Sequence, residues 1–76
     1  MDVVLSQHAE QRLRERGISV ADVRSALDRP IGSPEPGEPG SVWIRGYAVG
    51  GRILKMCVDA TDHHKVITAA WPGQEG

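Results

Sequence analysis

Apolar and polar positions recur with two different periods along this chain, and the change of period divides it. From Gln7 to Arg16 the residues are good helix formers, with Ala9 and Leu13 on one narrow stripe at about 100° per residue. Ser6 stands where an N-cap belongs, and Gly17 where a left-handed C′ glycine would close the helix. His8, Arg12 and Glu15 stack along the flank of that helix. A second start signal follows at once: Ser19 can cap the amides ahead with Asp22 at N3, and Ile18 can staple onto Val23. Val20, Val23, Ala26 and Leu27 share one arc of this second helix, which Pro30 prevents from continuing beyond Arg29.

Downstream the period falls to two. Val42 to Tyr47, Arg52 to Asp59 and Lys65 to Trp71 read as strands joined by short connections, which makes antiparallel hairpins. In the middle run Leu54, Met56 and Val58 share one face, while Ile53, Lys55, Cys57 and Asp59 share the other. Residues 2 to 5 suit a brief leading strand. Residues 30–41 carry four prolines and three glycines and read as an extended loop. The expected architecture is α+β: a short N-terminal strand, then two helices packed on one face of a three- to four-stranded antiparallel sheet. It forms a single domain over residues 1–73 with a flexible tail at 74–76.

Size and composition narrow the functions available. A chain of 76 residues buries only about 60% of the surface its unfolded form exposes, so it holds one small core. Seventeen Ile, Leu and Val residues with no Phe make that core aliphatic, and bulk must come from Trp43, Tyr47 and Trp71. The single cysteine, Cys57, excludes an intramolecular disulfide and a thiolate zinc site. Nine basic against ten acidic residues give a net charge of −1, so any attraction for a polyanion is local. No run approaches the roughly 20 apolar residues of a membrane span, and the expectation is a cytoplasmic protein.

Leu5-Ser6-Gln7-His8-Ala9, Arg12-Leu13, Arg16-Gly17-Ile18-Ser19, Gly50-Gly51-Arg52-Ile53-Leu54-Lys55 and Val66-Ile67-Thr68-Ala69-Ala70-Trp71 together resemble the bacterial domain-of-unknown-function family 4258 over nearly the whole chain. That family looks like a branch of the superfamily of barnase, EndoU, colicin and RelE-type nucleases. The resemblance implies a RelE/barnase-like fold and a metal-independent ribonuclease, often a toxin neutralised by an antitoxin protein.

Such cleavage needs a base for the ribose 2′-OH, cations for the phosphorane and an acid for the leaving oxygen. His8 is the candidate acid/base, since an ordinary histidine titrates near neutrality; the other reading is a plain first-turn helix residue with its ring over the sheet edge. Arg45 and Arg52 flank one hairpin and are the candidate catalytic cations, with ordinary strand solubility as the other reading. Arg12, Thr68 and Trp71 are candidate RNA-binding residues, by charge, hydroxyl and base stacking. Asp62-His63-His64 lacks the spacing of a metal site, so no metal and no cofactor are expected. The alternative to a ribonuclease is a non-catalytic protein-interaction or regulatory module, in which the open sheet face or an edge strand meets another chain or a second copy as a homodimer.

Overall fold

The computed structural model describes residues 3–73, and the expected tail at 74–76 lies outside them. The chain runs β1 (Val4–Leu5), α1 (Gln7–Glu15), α2 (Val20–Asp28), β2 (Pro30–Pro36), β3 (Ser41–Tyr47), β4 (Ile53–Asp59) and β5 (Lys65–Ala70). A short 3-10 turn at Val49–Gly51 links β3 to β4.

Local chemistry sets both helices. The Ser6 hydroxyl accepts from the Ala9 amide at the start of α1. The α1 end is a Schellman closure, with the Ile18 amide bonded to the Leu13 carbonyl, the Gly17 amide to Arg14, and Gly17 at φ 68°. Leu13 and Ile18, the apolar pair of that motif, are both buried. Ser19 and Asp22 form the reciprocal capping box that opens α2. Val23 and Ala26 of α2 are fully buried, whereas Val20 in its first turn remains exposed beside a hollow between the helices.

The sheet departs from the expectation of three to four antiparallel strands. It is mixed, open and five-stranded in the order β1-β5-β4-β3-β2, with β1 parallel to β5 and the other pairs antiparallel. The segment expected to be a loop supplies β2 as an edge strand, pairing Pro30 with Gly46, Ile31 with Arg45, Glu35 with Trp43 and Pro36 with Val42. Its prolines are compatible with pairing because an edge strand needs only half of its amides. An irregularity between Ile31 and Glu35 absorbs the surplus residues.

Both helices lie on one face. Ile44, Leu54, Met56, Val58, Val66, Ala69 and Trp71 join Leu13, Ile18, Val23 and Ala26 in a single core. Helix α2 sits so close to β3 that a Cβ on Gly46 would overlap the Ala26 carbonyl, and the Ser25 hydroxyl donates to the Tyr47 carbonyl at 2.8 Å. The register of β4 with β5 shifts between Cys57 and Val58, so Ile67 is an extra residue. That shift lets Val66, Ala69 and Trp71 all face inward and turns Thr68 outward beside Cys57. Among the described residues no helix is long and apolar enough to cross a membrane.

Candidate functional site

Among the described residues strand β1 pairs with β5 only at Lys65 and Val66, and the rest of that edge has no strand neighbour. Arg16, the C-cap of α1, fills part of the gap. Its Nη1 donates to the Ala69 carbonyl at 2.8 Å and to Thr68 Oγ1 at 3.4 Å. The Arg16 carbonyl in turn accepts from Trp71 Nε1 at 3.0 Å. Over the Trp71 ring lies the Arg52 guanidinium, 3.9 Å from the ring centroid. Arg52, Trp71, Arg16 and Thr68 therefore form one continuous cluster at the α1–β5 boundary.

His8 and Arg12 are exposed on α1. Steps of four residues turn a helix by about 40°, so His8, Arg12 and Arg16 walk along one flank over about 12 Å, ending at the β5 edge. The opposite flank, with Glu10 and Arg14, borders α2 through the hollow that Leu5, Leu13 and Ile18 also line. His8 lines a shallow depression with Gln7, Gln11 and Arg14. The rim at the α1–β5 boundary thus brings together three of the expected site residues, Arg52, Thr68 and Trp71, while Arg12 and His8 stand one and two turns back on α1.

Arg45 belongs elsewhere. It lies on the sheet face turned away from the helices, directly across from Lys55, and pairs with Glu35 at 2.9 Å. The sheet separates it from His8, so the three expected catalytic residues do not meet. Trp71 is also not a free stacking surface: it is 6% exposed, and its ring supports Arg52. Arg16 is the residue that sequence reasoning missed. The available signal was its place four residues after Arg12 in the same helical row.

The bare sheet face carries a second group. Lys55 Nζ stands 4.9 Å from the Trp43 ring centroid. Ile31, Arg45, Ile53, Lys55 and Pro72 line a hollow of about 280 Å³ there. At the β4–β5 turn, Asp59 Oδ1 accepts from the Thr61 hydroxyl at 2.7 Å and from the Thr61 and Asp62 amides. The Thr61 hydroxyl above all, then its amide, holds the Asp59 carboxyl below the usual carboxylate range. Among the described residues no group of three His, Cys, Asp or Glu side chains could hold a metal ion.

A family model described as "Domain of unknown function (DUF4258)" matches residues 5–71. The matched stretch contains both helices, β2 to β5 and every rim residue. No curated protein and no solved structure matches the chain.

Proposed function

We propose that this chain, which belongs to the DUF4258 family, binds RNA along the α1–β5 rim and cleaves it without a metal. The observation that carries the reading is the cluster of Arg16, Thr68, Trp71 and Arg52 at the end of α1, with Arg12 and His8 exposed one and two turns back along the helix. Arg12 and Arg52 are the cations for phosphate, since a guanidinium offers forked donation and keeps its charge at neutral pH. Arg16 is occupied by the strand edge and acts by holding Thr68 and Trp71 in place. With a net charge of −1 on the whole chain, the grip must come from this local group.

His8 is the acid/base of this reading. The imidazole takes the 2′-OH proton as the 2′-oxygen bonds to phosphorus, and returns it to the 5′-oxygen as the P–O5′ bond breaks. The products are a 2′,3′-cyclic phosphate and a 5′-hydroxyl. Arg45 has no part in this step. A RelE/barnase-type ancestry and a toxin-like role restrained by an antitoxin protein accompany the proposal.

The test is incubation of total cellular RNA and of intact ribosomes with purified protein, with and without a chelator. We expect chelator-resistant cleavage leaving cyclic phosphate ends, at least about 100-fold slower in a folded His8→Ala variant. Cleavage by His8→Ala at the wild-type rate removes His8 from the mechanism. Intact RNA in every arm favours the non-catalytic interaction module instead.

A further inference from the structure

The sheet face opposite the helices carries a charge arrangement that strand solubility does not require. Arg45 and Lys55 are direct partners in the β3–β4 register, with side chains on the same face. Like charges set opposite each other weaken a sheet. Glu35 neutralises only one of them, through its 2.9 Å bond to Arg45. Among the described residues Lys55 stands over the Trp43 ring, which carries no net charge to neutralise it. This unbalanced cation borders the 280 Å³ hollow whose other walls are Ile31, Ile53 and Pro72. Ile53 and Tyr47, cross-strand partners beside it, remain 41% and 43% exposed.

We propose that this face docks an acidic, amphipathic segment of a protein partner, a carboxylate on Lys55 and its apolar side chains in the hollow. The approach is face-on because both edges resist strand addition. Pro30, Pro34 and Pro36 with their register shift blunt β2. At the other edge β1 and Arg16 occupy β5. A peptide suits the hollow better than nucleic acid, since its walls Ile31, Ile53 and Pro72 are aliphatic, and the rings of this face, Trp43 and Tyr47, are not part of its lining. The surface centres on Lys55, Arg45 and Ile53, none of which takes part in the Arg16–Trp71–Arg52 cluster.

The experiment titrates isotope-labelled protein with three probes: a short leucine–glutamate amphipathic peptide, the same peptide with lysine for glutamate, and oligouridylate. The acidic peptide is expected to shift the amides of Ile31, Tyr47, Ile53 and Lys55 and the Trp43 indole, with affinity falling as salt rises. Lys55→Glu should weaken that binding about tenfold. It should also raise the midpoint of thermal unfolding by about 2 °C, because it converts an opposed like pair into an opposite one. Ile53→Ser should weaken binding through the hollow while keeping both cations. Equal binding of acidic and basic peptides, or shifts confined to the helices, overturns the proposal. So does wild-type affinity in Lys55→Glu, or tighter binding of oligouridylate at this same face, which would make it an RNA surface.

Discussion

The indole Nε1 of Trp71 donates a 3.0 Å hydrogen bond to the main-chain carbonyl of Arg16, fifty-five residues earlier. Helix C-termini leave carbonyls that need outside donors, and here the donor is a buried side chain from the end of the last strand. The guanidinium of the same arginine reaches back to Ala69 and Thr68. The two contacts clamp the end of α1 to the end of β5, and Arg52 rests on the clamp through the Trp71 ring.

Replacing Trp71 with Phe keeps most of the buried ring but removes the donor. The Arg16 carbonyl then lacks its partner in a half-buried place, at a cost of about 1–3 kcal/mol in urea unfolding. Arg52 loses its best cation–π platform as well, and its side-chain resonances should move toward those of a free arginine.

Arg16→Met removes the donor to Ala69 and Thr68 while keeping the apolar stem. We expect a loss of about 1–3 kcal/mol in chemical denaturation, with Trp71 Nε1 still protected from exchange because its acceptor is main chain. A Thr68→Val variant should cost much less, since its 3.4 Å contact is long.

Gly46→Ala should be among the most damaging changes in the protein. The new methyl would overlap the Ala26 carbonyl, which is backbone and cannot swing aside. Displacing α2 from β3 is expected to cost about 3 kcal/mol or more, read from the denaturation midpoint at unchanged slope.

The Asp59 turn predicts an acid-sensitive contribution. Its carboxyl is held below the usual range by Thr61, so the folded state favours the ionised form. That stabilisation is full above the unfolded carboxylate value of about 3.9 and is lost as pH falls through the lower folded value. Thr61→Val should move the Asp59 titration upward in a carboxyl-detected NMR series; an unmoved midpoint contradicts the assignment of the hydroxyl as the main cause.

If RNA lies along the rim, Arg12→Ala and Arg52→Ala should each lower the log–log salt slope of single-strand binding by about 0.7. Arg45→Ala should leave it unchanged, because Arg45 is on the far face. The reverse pattern would move the RNA site to the sheet face.

Both helices were legible because their signals are local. Ser6, Gly17, Ser19, Asp22 and Pro30 act on backbone groups within a few residues of themselves, and the structure uses each of the first four as its type suggests. The face pattern of β4 was readable for a similar reason, since alternation is a property of the strand itself. Strand β2 was not legible: Pro30–Pro36 has no intrinsic preference for a sheet, and pairs only because β3 offers it an edge.

The sequence by itself therefore determined the two capped helices, the inward face of β4 and the inventory of residues that could meet a phosphate. Which of those residues stand together was decided by tertiary structure. The extra residue at Ile67 turns Thr68 out toward Arg16 and Trp71 into the core. The order of strands places the α1 flank at the β5 edge and leaves Arg45 with Lys55 on the opposite side of the sheet. Register and sidedness arise from contacts between segments distant in the chain, and a one-residue shift reverses every face, so no local pattern can specify them.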